Sequence, residues 1–285
     1  MAEFVCNICG KKNSYSGEPF GREKPGCGSC GSNLRTRALI GALSMELFGT
    51  QLILPDFPRV KSLRGLGASD SEQYARHLAQ VFDYRNTFYD REPRFDFGSS
   101  SEESNTYDFV LCSDVLEHVA PPVEQAFQNV YNMLKPNGVL VFTVPYEIEE
   151  TAEHFPELYE YGLAEVGNRT TLVNRTRTGQ MQIFENLVFH RSGTGRSLEM
   201  RVFSEKMLRD VLAAAGFSSA KIYSESYKPF GIVSAESWSL PIAARKGPFA
   251  CGIEAMRDVM EEWRDLKARL AKSIWERVAR RLRPR

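Results

Sequence analysis

Charge bias is missing from this chain of 285 residues: Lys and Arg together number 36, and so do Asp and Glu. A balanced molecule has no field that would gather it on nucleic acid, so nucleic acid is not an expected partner. Long apolar runs are missing too. None approaches the roughly 20 residues that span a bilayer, and Met1-Ala-Glu-Phe-Val-Cys6 has no basic leader with an apolar stretch behind it. The expectation is a cytoplasmic protein with no transmembrane segment. No repeat or low-complexity tract interrupts the chain, and its 42% hydrophobic and 25% charged content is that of an ordinary globular protein. Histidine is scarce, at four, and cysteine nearly so, at six.

Four of those cysteines are arranged as two pairs, Cys6-Asn-Ile-Cys9-Gly and Cys27-Gly-Ser-Cys30-Gly. In a reducing compartment Cys-x-x-Cys spacing favours metal over disulfide. Each half reads as a knuckle, two thiolates three apart followed by a glycine that lets the chain turn tightly. Two halves make a four-sulfur site of the kind zinc prefers, with Cys6, Cys9, Cys27 and Cys30 as ligands; a redox dithiol and a four-thiolate iron centre are the alternatives. Residues 1–33 are too few to bury a core, so the metal would supply most of that unit's folding free energy. Residues 34–58 read as a helical linker. Its helix, Leu34 to Phe48, repeats Leu34, Ala38, Leu39, Ala42, Leu43 and Leu47 at helical spacing and carries Arg35 and Arg37. These arginines either face solvent or reach a cofactor or anionic substrate.

The most informative stretch is Tyr107-Asp-Phe-Val-Leu-Cys-Ser-Asp-Val-Leu-Glu-His-Val119, followed by Leu134-Lys-Pro-Asn-Gly-Val-Leu-Val-Phe-Thr-Val-Pro145. The apolar runs Phe109–Cys112 and Val139–Val144 lack polar alternation, which marks strands covered on both faces in a parallel sheet. Ser113-Asp114 and Glu117-His118 sit where the first strand ends, and open α/β sheets bind ligands beyond the carboxyl ends of their strands. Upstream, Val60–Leu63 reads as a short strand and Arg64-Gly-Leu-Gly-Ala-Ser-Asp70 as a glycine-rich turn before a helix from Ser71 to Phe82.

Together, Asp-Val-Leu-Glu-His-Val and the Leu-Lys-Pro-Asn-Gly turn resemble the class I S-adenosylmethionine-dependent methyltransferases. The knuckles, Cys-Gly-Ser-x-x-Arg-x-Arg, Asn-Thr-Phe-Tyr and Leu-Glu-Met-Arg further resemble a group of bacterial zinc-knuckle members of largely unassigned substrate, over about residues 5–245. The resemblance implies a Rossmann-like, seven-stranded, doubly wound α/β sheet whose last strand is antiparallel, with a small amino-terminal zinc module and a carboxyl-terminal amphipathic helix. It also implies a cofactor site built from Gly65, Gly67 and Ser69 in the first turn and Ser113 and Asp114 after the fourth strand. Asp90, with Glu92 behind it, is placed to accept from the ribose hydroxyls, and Asp96 and Phe97 to read adenine. Leu63 stands where the family carries an acid and Ser69 where it carries a third glycine. The expected boundaries are 1–33, 34–58, 59–250 for the catalytic domain and 251–285 for the tail.

A long insertion, about 146–200, follows the fifth expected strand and reads as a substrate lid, with a helix within Thr151–Val166 and two strands around Thr178-Gly179-Gln180. Three of the four histidines lie in or near it. Methyl transfer to a hydroxyl calls for a group that takes or orients the acceptor's proton, and imidazole suits that task. His118 is the first candidate and His190 the second; His154 reads as a surface helix residue. Beyond Gly216, which should stop a helix capped by Ser204, strands at Ala220–Tyr223 and Leu240–Ala244 complete the sheet. From Ile253 on, Met256, Met260, Trp263, Leu266, Leu270, Ile274, Val278 and Leu282 recur three or four apart, and the last eighteen residues carry seven Lys/Arg against one Glu. Such a helix suits its own domain, a homodimer or a membrane surface. The expected function is methyl transfer from S-adenosylmethionine to a small-molecule or glycan acceptor at a hydroxyl oxygen. Alternatives are a ribosomal RNA methyltransferase with a zinc module and a non-catalytic binding protein of the same fold.

Overall fold

Alternation along the strand Tyr107–Ser113 sets the architecture: Phe109 and Leu111 point to one face, Val110 and Cys112 to the other, and all four are fully buried. Both faces must therefore be covered. The computed structural model describes residues 2–16, 19–99, 102–147, 150–192, 195–236, 238–249 and 252–281. Its central sheet comprises β1 (Arg64–Ala68), β2 (Asp83–Thr87), β3 (Tyr107–Ser113), β4 (Leu134–Thr143), β5 (Ser219–Ile222) and β6 (Ile242–Arg245), in the order β2-β1-β3-β4-β6-β5. The first four run parallel, β6 is antiparallel to β4, and β5 is antiparallel to β6. This is a mixed α/β fold with a mostly parallel sheet, and its antiparallel strand lies where it was expected.

Six strands stand, among the described residues, where seven were expected. Between Thr87 and Tyr107 the chain makes only an isolated bridge, Phe88 with Arg94, and a short turn at Phe97–Ser99. A further parallel strand needs a crossover of a dozen or more residues besides the strand itself, and this connection is too short for both.

Helices α1 (Leu34–Phe48) and α2 (Glu72–Val81) cover the face that carries Phe109, Leu111, Val139 and Val141; α3 (Val123–Met133) and α4 (Glu205–Ala215) cover the other, with Val110, Cys112, Leu140 and Phe142. Ser204 caps α4 by accepting from the Met207 N–H at 3.1 Å, and Gly216 ends it at φ +102°, as read from sequence. The range of α1 also matches, but its amphipathic reading does not. Leu39, Ile40 and Leu43 are buried against the sheet, while Thr36, Arg37 and Gly41 are buried as well, because the cysteine-bearing segment packs on the helix's other side. Phe4, Cys6, Ile8 and Cys27 share one hydrophobic cluster with these leucines. Each such apolar side chain stabilises the packing by roughly 1.5–3 kcal/mol.

Placement of the first strand is corrected. Residues 64–68 are strand, not turn, so Gly65 and Gly67 lie inside the sheet. A β-carbon on Gly65 would fall 2.2 Å from the Phe109 ring, and one on Gly67 only 1.9 Å from the Tyr84 hydroxyl. Glycine here serves ring packing, and the turn moves on to Ser69, Asp70 and Ser71.

All regular secondary structure among the insertion's described residues is β, and the helix expected within 151–166 is absent from them. Tyr146–Glu147 and Ala152–Glu153 flank Arg201–Ser204; Glu160–Val166, Arg169–Arg175 and Met181–Phe184 form an antiparallel meander; Phe189–Ser192 pairs with Gly195–Leu198. The two-residue loop Gly167-Asn168, with Gly167 at φ +63°, is a hairpin signal that overrides the helical spacing of Phe155, Leu158, Tyr159 and Leu163. Two strands do flank Gly179, as expected.

The terminal helix α5 (Ile253–Arg281) touches the domain through Asp258 and Glu262, which accept from the Ser62 and Arg59 N–H groups at 2.9 and 2.5 Å. Its stripe of Met256, Met260, Trp263, Leu266 and Leu270 is exposed. Side chains of Ile274 and Val278, and Leu282 altogether, lie outside the described residues. No described helix is long and apolar enough to cross a membrane.

Beneath the first turn, Asp70 is buried and accepts from the Tyr74 hydroxyl at 2.8 Å and from that of Tyr84. Burial pushes its carboxyl up to about 7, and the two hydroxyls only partly offset that. The unfolded chain releases this proton near pH 4. The folded state therefore holds an extra proton between about pH 4 and 7, and stability falls as pH rises through that window. In Asp70→Asn that share of the decline should vanish. Denaturant unfolding across pH 4–8 is expected to show the variant gaining on wild type by up to about 4 kcal/mol, three pKa units at about 1.4 kcal/mol each; parallel profiles would refute this.

Candidate active site

Two copies of one turn bring the cysteines together. The Gly10 N–H donates to the Cys6 carbonyl at 2.7 Å and the Gly31 N–H to that of Cys27 at 2.9 Å, with both glycines in the left-handed region at φ +74° and +71°. The sulfurs of Cys6, Cys9, Cys27 and Cys30 all lie within 4.8 Å of one another, Cys6 to Cys30 and Cys9 to Cys27 at 3.7 Å. A tetrahedral ion with bonds of about 2.3 Å to sulfur would space its ligands by roughly 3.8 Å, so the cluster fits a metal. Arg37, fully buried, lies 5.0 and 4.9 Å from the ring centroids of Phe4 and Phe20 and donates to the carbonyls of Ser32 and Gly231 at 2.8 and 3.2 Å.

Neighbouring Arg35 and Arg22 reach the carboxyl end of β3. Arg22 forms a bidentate pair with Asp114, at 2.8 and 2.6 Å; Arg35 Nε lies 3.2 Å from the same carboxylate, and its guanidinium also donates to the Ser113 hydroxyl. Thr143, at the end of β4, donates to Asp114 at 2.9 Å. Burial alone would push the Asp114 carboxyl up, but Arg22 and Arg35 outweigh it and hold it below the ordinary carboxylate range. Asp114 itself sits in the left-handed region, at φ +53°. Of the residues expected at a cofactor, Ser69, at φ +57°, follows β1 and Ser113 and Asp114 close β3. Asp90 is exposed in the turn beyond β2. Asp96 accepts from the Gly98 N–H and the Ser99 hydroxyl within its own turn, and the Phe97 ring is core, edge-on to Phe95.

Two histidines meet one carboxylate, and a third stands against one of them. His154 Nε2 and His190 Nε2 lie 2.9 and 3.0 Å from the two oxygens of Glu199, and the rings of His118 and His190 meet edge to face at 5.3 Å. His154 is thus part of the cluster and not a surface helix residue. His118 places Nδ1 at 2.8 Å from the Leu198 carbonyl, which fixes the proton on Nδ1 and leaves the lone pair on Nε2. Burial, reinforced by the neighbouring His190, holds the His118 imidazole below its usual pKa. The segment Leu198–Arg201 fastens the insertion over this strand end. The Met200 N–H donates to the Glu117 carbonyl at 2.9 Å, and fully buried Arg201 donates to the carbonyls of Leu116 and Val119 and to Glu153. Sequence reasoning noted Leu-Glu-Met-Arg without giving Glu199 a role, and it missed Arg22, for which no spacing signal exists.

A family model described as a methyltransferase domain matches residues 66–221. The chain belongs to this family. That span runs from within β1 to within β5 and takes in the whole insertion. Among curated proteins a sequence comparison finds no match. Solved structures with a similar fold include a sugar N-methyltransferase from a Streptoalloteichus species (12% identity, 84% of this chain and 100% of that one, TM-score 0.43) and a SAM-bound amino pentose methyltransferase from Micromonospora echinaspora (13%, 76% and 92%, 0.41). Another is the 1,6-didemethyltoxoflavin-N1-methyltransferase of Burkholderia thailandensis (15%, 65% and 71%, 0.37). At these identities and TM-scores the likenesses decide nothing about substrate.

Elemental analysis on purified protein is expected to find one metal ion per chain at the four sulfurs, over and above any held elsewhere. Replacing Cys27 with Ser should release it and expose residues 1–33 to proteolysis, since the four thiolates hold that segment's turns. A wild-type chain that folds with the four sulfurs metal-free would remove the assignment.

Proposed function

We propose that the chain is an S-adenosylmethionine-dependent methyltransferase acting on a hydroxyl of a small-molecule or glycan acceptor, with a structural zinc ion in its cysteine cluster. The observation that carries this reading is the convergence of an uncharged His118, with its Nε2 lone pair free of any backbone partner, on the strand end where the methyltransferase fold binds its cofactor. The cofactor, when bound, supplies an electrophilic methyl carbon on a sulfonium. The donor set suits it: Asp90 offers an exposed carboxylate past β2 for the ribose hydroxyls, and Arg22 and Arg35 bring positive charge to Ser113 and Asp114, where an amino-acid carboxylate can be held. His118 and His190 orient the acceptor hydroxyl and handle its proton, and the strapped insertion 146–200 closes over them. Zinc suits four thiolates and leaves no position for a substrate, hence its structural role. In this reading 1–33 is the zinc module, α1 ties it to the catalytic domain of 59–250, and α5 offers its exposed stripe to a second copy of the chain.

Asp90→Ala should weaken S-adenosylmethionine binding by about 1.5–3 kcal/mol, the range for hydrogen bonds to a charged group, and calorimetry reads this directly. Unchanged affinity would transfer the role to Glu92.

His118→Ala should lower turnover by about 10² to 10⁴ with cofactor affinity within a few fold. Because burial lowers the His118 pKa, wild-type turnover should stay level through neutral pH and fall only as the pH drops below the ordinary histidine value of about 6.5. A variant that loses cofactor binding first, with the chemical step intact, would show that His118 only packs.

A further inference from the structure

The Glu117 carboxylate lacks a hydrogen-bond partner among the described residues. Its side chain is fully buried just past the end of β3, and neither oxygen receives a hydrogen bond from the described residues. An acid in that position is destabilising unless something else meets it. Its neighbour Asp114 does not need help, being taken up by Arg22, Arg35 and Thr143.

What faces Glu117 is a pair of imidazoles. One ring nitrogen from each of His118 and His190 and one Glu117 oxygen lie within 4.8 Å of one another. The His118 nitrogen toward the acid is Nε2, 3.8 Å from Glu117 Oε1, and it is the lone-pair nitrogen because Nδ1 donates to Leu198. His190 is held from outside by Glu199, whose other oxygen holds His154. One imidazole anchored on a backbone carbonyl and another on a carboxylate is how metal-binding histidines are oriented and made more basic. Bonds of about 2.0–2.2 Å would set three such ligand atoms roughly 3–3.5 Å apart, within reach of small side-chain rotations from the separations seen.

We propose that Glu117, His118 and His190 bind one divalent first-row transition cation, separate from the ion of the cysteine cluster. The ligand set of two imidazoles and one carboxylate suits zinc, iron or cobalt better than magnesium or calcium. Three protein ligands leave positions open, unlike the closed four-sulfur site. With the cation bound, Nε2 of His118 is a ligand and no longer the proton acceptor; an acceptor hydroxyl filling an open position is made more acidic by the cation and loses its proton to solvent. That role rests on the methyltransferase reading; the binding itself does not.

The test is titration of the full-length chain, purified with its cysteine cluster filled, with Co²⁺, followed by visible absorption and by paramagnetic shifts of histidine ring protons. One equivalent is expected to bind without sulfur-to-cobalt charge-transfer bands and to shift the His118 and His190 signals. Glu117→Gln and His190→Ala should each weaken binding by about 100-fold or more, and Glu199→Gln by about 10–100-fold as an outer partner. Co²⁺ should also raise the melting temperature of wild type but not that of Glu117→Gln, a readout that does not depend on activity. Absence of stoichiometric binding, charge-transfer bands alone, or a Glu117→Gln variant that binds like wild type would overturn the proposal. Calorimetry with S-adenosylmethionine on the same preparation separates the two readings: cofactor binding without cobalt binding removes only the cation, and cobalt binding without cofactor binding removes only the transferase role.

Discussion

Four sulfurs gathered about one point fix the geometry at the carboxyl end of β3. Residues 2–33 have two short strands, Ala2–Val5 and Lys12–Tyr15, and little apolar mass, so their turns depend on the cysteine cluster. Arg37 links that cluster to α1: its guanidinium lies under the rings of Phe4 and Phe20 and meets the Ser32 carbonyl beside Cys30. Burial pulls the Arg37 pKa down, while charge on Cys6, Cys27 and Cys30 pushes it back up. Once α1 is set by these contacts, Arg35 arrives at Ser113, and Arg22 reaches Asp114 from the segment between the knuckles. The cysteine cluster is thus coupled to the strand end through two arginines and one carboxylate.

From the opposite side, the insertion is held by one short segment. Between Leu198 and Arg201 the chain accepts from His118, donates to the Glu117 carbonyl, and places a buried guanidinium against two more carbonyls of the same loop. A buried arginine with backbone partners is strongly directional, and removing it would leave both Glu153 and the carbonyls unpaired. Between the knuckle segment and this strap, the strand-end loop of residues 113–119 has little freedom. Its left-handed Asp114 is the strain expected where a backbone is over-determined by its surroundings.

Much of this was legible in sequence because the signals were local. Two apolar runs without alternation gave β3 and β4, Ser204 and Gly216 bracketed α4, and the cysteine spacing gave the knuckles. Misreadings arose where tertiary partners decide. Gly65 and Gly67 look like a loop until the Phe109 and Tyr84 rings are known to need their missing β-carbons. Residues 151–166 carry helical spacing, but the Gly167-Asn168 turn and the pairing partner Arg169–Arg175 commit them to strands. The encounter of Arg22 with Asp114, 92 residues later, leaves no trace in spacing. Neither does the meeting of His154 and His190 at Glu199.

Two carboxylates three residues apart show how the environment, and not residue type, assigns roles at this strand end. Glu117 is fully buried, and Asp114 is partly so, with its side chain 20% exposed. Asp114 is surrounded by two guanidiniums and a hydroxyl and stays ionised; the Glu117 carboxylate lacks a hydrogen-bond partner among the described residues, and burial together with the Asp114 charge pushes it well above the ordinary range. Pairs of acids driven apart in this way mark sites where chemistry is divided between groups. Here the division follows the fold: Asp114 closes the link to the amino-terminal segment, while Glu117 and the two imidazoles face the space under the insertion. Arg22 comes from the segment between the two knuckles, so the chain that carries the cysteines also brings the guanidinium to Asp114. The same local constraint that stabilises the module therefore keeps one acid engaged and leaves the other available.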